Sequence, residues 1–418
     1  MQDPTLSLPS QTARAPGAAP GPHVLDATMF WSSSPTGGVR RVISAKRQQL
    51  LDAGWRHSLL VPEGQGPGLL ACGGLSLPRS GGYRFVVDRR RAVALMKQAR
   101  PDLIEAADPY VLGWASLEAS QQLGVPAVAF CHSHLPALLE RWAGQLGGRR
   151  AGAWARERAQ RYLARLYGGF DLVLAPSRSL EHQLRLCGLD QVQYQPLGVD
   201  CSTFRPAARK GGWARWLKRE LGLPPGTRLL LYCGRFAPEK RLPLLARAVR
   251  ALGPGHVLLC VGAGPCAPSG PQVRLLPPVA DPSGLARIMA SCDAFVHAGD
   301  QETFGLAALE AMACRTPVVL SSRAGLGELG ADVALAVDSA NPADWAAAMR
   351  QALDDPEALR LDLALCRART MDWSRVSGLM MRRYAALMNP AEALQRGRPQ
   401  GLPSGQSDSV AAYSFRRL

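Results

Sequence analysis

Residues 298–320 read AGDQETFGLAALEAMACRTPVVL, and this stretch decides the fold. The apolar run at 294–297 before it reads as a strand, and 318–321 reads as the next. Between them a polar loop carrying Glu302 gives way at Phe304 and Gly305 to a helical stretch, 306–313. Strand, loop, helix and strand in that order form a βαβ unit, and βαβ units build parallel sheets. Gly305 and Leu306 place backbone N–H groups at the helix start, where the free donors and the helix dipole receive phosphate. Glu310 lies five residues beyond Gly305, about 7.5 Å along the axis at about 1.5 Å per residue. One carboxylate at the reacting end and another further along suit an elongated ligand. The same residues also fit a capped helix with a solvent-facing Glu, and the segment alone does not separate the two.

Outward from this unit the pattern repeats. Strands are expected at 23–27, 58–61, 103–105, 127–131 and 172–175, and again at 229–233, 256–261, 273–276, 294–297 and 318–321. Helices are expected between them, among others at 39–53, 116–123, 242–252 and 306–313. Two such series in 418 residues give two α/β domains, each a Rossmann-like parallel sheet. We expect the domains at 22–200 and 201–372. A last helix at 373–388 is free to pack on either. Residues 1–21 and 389–418, rich in Pro, Gly, Ser and Ala, are expected to be a disordered leader and tail. The first 22 residues lack a basic region followed by an apolar one, so a secretory signal is not expected. No run approaches the roughly 18 apolar residues of a membrane span. A cytoplasmic protein is expected.

Four further segments carry candidate chemistry. LLLYCGRFAPEKRL (229–242) runs from a strand into Arg235 and Lys240. Cations just past a parallel strand point into the crevice where such sheets bind ligands, and here they fit a diphosphate, or else a solvated loop. VGAGPCA (261–267) nominally matches a dinucleotide fingerprint, but Pro265 and Pro268 keep a helix from opening there. MFWSSSPTGGVRRV (29–42) places Gly38 between strand and helix, where a backbone can approach a ligand closely or only make a tight turn. AVAFCHSHLP (127–136) ends a strand at His132, which fits a contact to a sugar hydroxyl as well as a structural role.

The charge is +16, and only five of the 49 basic residues are Lys. Basic excess favours anionic partners such as nucleotides, nucleic acid or a membrane surface, while Arg and Ala also accumulate together through codon bias. The ten cysteines include no C-x-x-C pair, so zinc-ligand spacing is absent. Residues 141–165 hold seven Arg and one acidic residue, Glu157. From 153 onward Ala155, Ala159, Tyr162, Leu163 and Leu166 share one helical face, with Trp142 and Trp154 placed to sit at headgroup level. Such a helix adsorbs to anionic lipid, or is a crossover helix whose apolar face packs on its own domain. Gly144, Gly147 and Gly148 are expected to leave the stretch before it mobile.

Residues 302–319, ETFGLAALEAMACRTPVV, resemble the E-x7-E block of the family 4 retaining glycosyltransferases, which have the GT-B fold. YCGRFAPEKRL resembles that family's Arg/Lys diphosphate motif, PLGVDCSTFRP (196–206) its interdomain segment, and TGGV its N-terminal glycine loop. FCHSHLP, followed by DLVLAPSRSL, is similar to lipid-directed members such as sulfoquinovosyl-diacylglycerol synthases and mannosyltransferases. One departure is Arg315, where the family usually has Gly.

The resemblance implies a UDP- or GDP-sugar donor, bound as a substrate with no cofactor, between two Rossmann-like domains, 22–200 being the acceptor side and 201–372 binding the nucleotide sugar. It implies that Glu302 holds the donor sugar, Glu310 the ribose, and Arg235 and Lys240 the leaving diphosphate with Gly305 and Leu306. Gly38 and His132 would approach from the first domain. No metal is expected, because fixed cations replace it and no D-x-D pair stands on a loop. The acceptor is expected to be a lipid or lipid-linked glycan, with an anionic membrane surface as a partner and no nucleic acid. A soluble sugar acceptor, a Rossmann oxidoreductase and a non-catalytic nucleotide binder are the competing readings.

Overall fold

The computed structural model describes residues 21–31, 37–76, 83–209, 211–354 and 357–389. The expected leader and tail therefore lie outside the described residues, apart from Gly21 and Asn389. So does the polar loop 32–36 before Gly37.

In the first domain β1 (His23–Ala27) is followed by α1 (Gly38–Asp52), β2 (Arg56–Val61) and β3 (Leu69–Ala71). A short antiparallel pair, β4 (Leu75–Ser76) and β5 (Arg84–Phe85), stands apart from the sheet. Then come α2 (Arg89–Ala99), β6 (Leu103–Ala106), α3 (Val111–Leu123), β7 (Ala127–Phe130), α4 (Leu135–Tyr167), β8 (Leu172–Ala175), α5 (Arg178–Leu186) and β9 (Val192–Tyr194). Seven strands make one parallel sheet in the order β3-β2-β1-β6-β7-β8-β9.

The second domain opens with α6 (Trp213–Glu220) and β10 (Arg228–Cys233), then α7 (Leu242–Leu252), β11 (His256–Val261) and β12 (Val273–Leu276). It continues through α8 (Pro282–Ser291), β13 (Ala294–His297), α9 (Leu306–Ala313), β14 (Val318–Ser321), α10 (Ala324–Gly330) and β15 (Leu335–Val337), and closes with α11 (Pro342–Asp354) and α12 (Ala358–Thr370). Its six parallel strands run β12-β11-β10-β13-β14-β15. Leu229–Leu231 and Val257–Val261 are apolar and buried along their whole length, as strands covered on both faces must be. In each sheet the strand order reverses beside the first strand of its domain, β1 or β10. Ligands of open α/β sheets sit at such switch points.

The last helix, α13 (Trp373–Met388), packs on α1 of the first domain. The chain thus leaves the first domain near Gln195 and returns at Trp373, and the two crossings lie side by side. Val199 N–H donates to Met371 O at 2.9 Å, and Trp373 N–H donates to Val199 O at 3.1 Å. A Cβ on Gly198 would lie 2.6 Å from the Trp373 ring. Gln195, fully buried, donates to Val376 O at 3.1 Å and accepts from Arg383 at 2.5 Å.

The first domain also encloses a charged cluster. Lys46 of α1 donates to Asp26 (2.5 Å) and Glu105 (2.7 Å), and His57 reaches the other oxygen of Asp26 at 3.0 Å. The Tyr384 hydroxyl of α13 donates to the second oxygen of Glu105. All these groups are buried. Burial works against the Lys46 charge, but the two carboxylates override it and raise its pKa. Burial likewise works against the Asp26 charge, yet Lys46 and His57 hold that carboxyl down at about 2.

Helix α4 breaks at Gly147 and Gly148, the latter at φ 73°. Its two arms fold back on each other: a Cβ on Gly152 would lie 2.8 Å from Glu140 O and 3.3 Å from the Gly144 Cα. Arg156 and Glu140 bridge them at 3.2 Å. The glycines therefore serve a tight hairpin, where a mobile stretch was expected. The apolar face expected to meet lipid is also turned inward. Ala159, Leu163 and Leu166 are buried against the first domain's core with Phe170 and Leu180, and Ala155 is buried as well. That burial is the crossover packing, and it leaves this face unavailable to a membrane. What the hairpin does expose is a different set: Leu138, Trp142, Leu146 and Trp154, each 45–75% accessible.

Beyond β11 no helix opens before β12, as Pro265 and Pro268 imply. Gly262 and Gly264 have a packing role there. A Cβ at 262 would come within 2.0 Å of Gly234 O, and one at 264 within 2.3 Å of Phe236 O. Only glycine lets this loop press on the one carrying Arg235. Arg315, in place of the usual Gly, takes the left-handed conformation at φ 57° and pairs with Asp362 at 2.7 Å.

Candidate active site

The two switch points converge. Helix α1 begins at Gly38 just past β1, and α9 begins at Leu306 just past β13. A Cβ on Gly38 would lie 3.8 Å from a Leu306 methyl, so the two helix starts face each other across the domains. Gly305 caps α9 at φ 111° with no side chain on the first N–H groups. Those donors stay available to an anion.

Glu302 sits on the loop between β13 and α9, with its side chain largely buried. Lys240, at the end of the 3-10 turn Pro238–Lys240 after β10, pairs with it. His297 completes the group. Its Nδ1 accepts from Gly299 N–H at 3.0 Å, which places the ring proton on Nε2, 3.4 Å from Glu302 Oε1. Burial pushes the Glu302 carboxyl up, but the Lys240 charge and His297 outweigh it and hold it well below the usual carboxylate range. The site therefore carries a fixed carboxylate and a fixed ammonium in contact.

One turn into each helix stands a second charge pair. Arg41, three residues beyond Gly38, spans both carboxylate oxygens of Glu310, four residues beyond Leu306. Burial raises the Glu310 pKa, and Arg41 opposes the rise. The guanidinium also lies 5.8 Å from the Phe204 ring, on the segment that joins the domains.

His132 follows β7. Its ring stacks on Phe130 with centroids 4.3 Å apart and planes 3° apart. Burial, helped by the nearby Lys46 charge, lowers its pKa to about 3, so the ring is neutral at ordinary pH. Its carbonyl accepts from the Thr303 hydroxyl at 3.0 Å, one residue from Glu302.

Seven of the eight residues singled out in the sequence, Glu302, Lys240, Gly305, Leu306, Glu310, Gly38 and His132, thus meet at one place. Arg235 stands apart from the Lys240–Glu302 pair: its guanidinium is mostly exposed and bound to Glu239 at 2.8 Å. The sequence reading did not find Arg41, His297, Arg141 or Asp300. Arg41 had a signal, since it lies one helical turn beyond Gly38 on the same face. His297 ends a strand, as His132 nearly does. Among the described residues no group of three or more His, Cys, Asp or Glu is placed to hold a metal ion. No helix among them is long and apolar enough to cross a membrane.

Comparison with known proteins bears on the family and the fold. Residues 36–203 match the family model for Glycosyltransferase Family 4, and residues 227–355 match that for Glycosyl transferases group 1. The chain is 30% identical over 371 residues to the GDP-mannose-dependent alpha-(1-6)-phosphatidylinositol dimannoside mannosyltransferase of Mycobacterium tuberculosis, covering 84% of this chain and 93% of that protein. It is 32% identical over 308 residues to a D-inositol 3-phosphate glycosyltransferase of Pseudarthrobacter chlorophenolicus, covering 67% and 70%. In structure it resembles Anabaena HepE, solved with UDP and glucose, at a TM-score of 0.69 and 17% identity, covering 87% and 99% of the two chains. That likeness bears on the fold, which is GT-B.

Proposed function

The chain belongs to the group 1/family 4 glycosyltransferases, and from that premise we propose that it moves a hexose, with retention of configuration and without a metal, from a nucleotide-diphosphate sugar to a lipid-linked acceptor. The observation that carries the proposal is the meeting of Glu302, Lys240, His297 and the bare start of α9 at facing switch points.

In the transfer, the bond between the sugar's anomeric carbon and the diphosphate oxygen breaks, and its electron pair leaves with the diphosphate. The acceptor hydroxyl forms the new bond to that carbon on the face the diphosphate leaves, which keeps the configuration, and its proton passes to the departing diphosphate oxygen. Negative charge grows on the diphosphate and positive charge on the sugar ring. The N–H groups of Gly305 and Leu306 face the first, and Lys240 is shared between it and Glu302. The Glu302 carboxylate faces the second. Groups already fixed where charge develops lower the barrier most. Glu310 takes the ribose hydroxyls, sharing its carboxylate with Arg41. The neutral His132 hydrogen-bonds the sugar from the first domain, and Arg235 supplies outer positive charge. With cations and a helix terminus in these places, activity is expected to survive EDTA.

Two observations favour GDP-mannose and a lipid. The relative from M. tuberculosis is named for both GDP-mannose and phosphatidylinositol dimannoside. The α4 hairpin exposes Trp142, Leu146 and Trp154 beside Arg149 and Arg150, the make-up of a peripheral anchor for anionic membrane. Incubation with a panel of UDP- and GDP-sugars tests the donor by thermal shift and nucleotide release. The product anomer by NMR tests retention. Flotation with phosphatidylglycerol vesicles tests the membrane, where the Trp142→Ser/Leu146→Ser variant should stay unbound. Release without retention would overturn the proposed stereochemistry. Equal flotation of the variant and the unaltered chain would remove the hairpin as the anchor, and flotation of neither would leave a soluble acceptor.

A further inference from the structure

Arg141 belongs to the first arm of α4, yet its guanidinium ends in the other domain. Nη2 lies 2.5 Å from Asp300 Oδ1. In the amide orientation that satisfies both groups, the Gln301 side-chain oxygen accepts from the same Nη2 at 3.1 Å and from Nε at 3.2 Å. Both partners immediately precede Glu302. On its other side, Thr303 donates to His132 O at 3.0 Å. The loop that carries the carboxylate is therefore pinned to the first domain both before and after Glu302. Within its own domain Asp300 N–H is held by Glu239 O at 3.4 Å, next to Lys240.

The other end of this connection is the hairpin surface. Leu138, Trp142 and Leu146 recur every fourth residue and form one exposed stripe along the arm that bears Arg141. Arg141 joins that arm to the Glu302 loop through a planar fork that engages two acceptors at once, which a lysine cannot reproduce.

We propose that Arg141 is a positioning residue that couples the acceptor-side hairpin to Glu302, so that an anionic membrane docked on the hairpin sets the loop that stabilises the sugar. The proposal rests on the assignment of Glu302 to the donor sugar. The loop has no regular structure, so its placement depends on these contacts, and a shift of about 1 Å at a reacting group costs up to about a hundredfold in rate.

The test measures GDP release from GDP-mannose, or release from whichever donor the panel selects. It is run with and without vesicles of phosphatidylglycerol and phosphatidylinositol, with Glu302→Gln in parallel. Arg141→Ala should lose about 10- to 100-fold in kcat, with donor KM and GDP affinity within about twofold because uniform binding is untouched. It should still float with vesicles but lose their stimulation, and Arg141→Lys should recover part of the rate. If Arg141→Ala does not fold, Asp300→Ala removes the same pair from the other side and should behave alike. Full turnover and full vesicle stimulation in these variants, with Glu302→Gln inactive, would overturn the coupling and leave the donor site intact. Full turnover in Glu302→Gln would instead remove the donor-site assignment on which the coupling rests.

Discussion

Arg41 and Glu310 meet across the two domains in a two-point pair, Nη1 to Oε2 at 3.2 Å with Nη2 on Oε1. The pair joins residues 269 apart in the chain. It also places a guanidinium on the carboxylate assigned to the donor's ribose. Glu310 is nearly inaccessible, so without Arg41 it would be a buried charge with no partner.

Glu310→Ala should raise the donor KM about tenfold or more and leave kcat within a few-fold, because ribose binding is alike in ground and transition states. Arg41→Ala should move in the same direction, since a lone buried carboxyl takes up a proton. Steady-state kinetics with varied donor checks both. A large kcat loss at constant KM would contradict the ribose role.

Lys240→Ala and Glu302→Ala should each lower kcat about 10²–10³-fold, the scale of removing one fixed group from a charge-stabilising site. The double variant should be little worse than either single one, because the two side chains act as a contact pair. Circular dichroism should show both folded. Near-normal turnover in either single variant would remove that residue from the site.

His132 predicts a pH dependence. Its folded pKa is about 3, against about 6.5 for a free histidine. Above pH 6.5 the ring is neutral whether the chain is folded or not, and its contribution is complete. As pH falls below that, the unfolded chain binds the proton first. Stability then drops by up to about 1.4 kcal/mol per pH unit until the folded pKa is reached. Urea unfolding of His132→Asn between pH 7 and 4 should show a shallower acid slope than the unaltered chain. The pH profile of kcat should carry no limb from His132 between pH 5 and 8.

Tyr384→Phe removes one hydrogen bond from the buried Glu105 carboxyl, whose pKa burial raises against the pull of Lys46, and should cost about 1–3 kcal/mol of unfolding free energy. Lys46→Met leaves Asp26 and Glu105 buried together and should cost more, about 3–5 kcal/mol. Equilibrium unfolding ranks the two, and the reverse order would mean that Lys46 is not the centre of the cluster.

The ten expected strands all lie in the sheets, because each is an apolar run long enough to show against its flanks. Five strands are not marked by the apolar pattern: Leu69–Ala71, Val192–Tyr194 and Leu335–Val337 have three residues each and lie at sheet edges, and Leu75–Ser76 and Arg84–Phe85 form a separate pair of two residues each. There partial exposure blurs the apolar signal. The site divides along the same line. Glu302, Gly305, Leu306 and Glu310 stand in one short segment whose spacing expresses their geometry. Arg41 and Arg141 find their partners only when the domains meet, and no local pattern encodes a contact 269 or 159 residues away. The 141–165 segment shows the limit of periodicity. Its amphipathic face is real, but Ala159, Leu163 and Leu166 are covered by the protein's own core. A hydrophobic stripe tells that something covers it and not what.

The side-by-side crossings at Val199 and Asp372 have a consequence for how the protein is made. The second domain is threaded into the chain between the first sheet and the helix that completes it. During synthesis the strand carrying Glu105 emerges early, whereas Tyr384 emerges only after the whole second domain. Until then Glu105 lacks the hydroxyl and α1 lacks the helix that covers it. The second domain has no such dependence and is free to fold as soon as it leaves the ribosome. The domain begun first is therefore the one finished last.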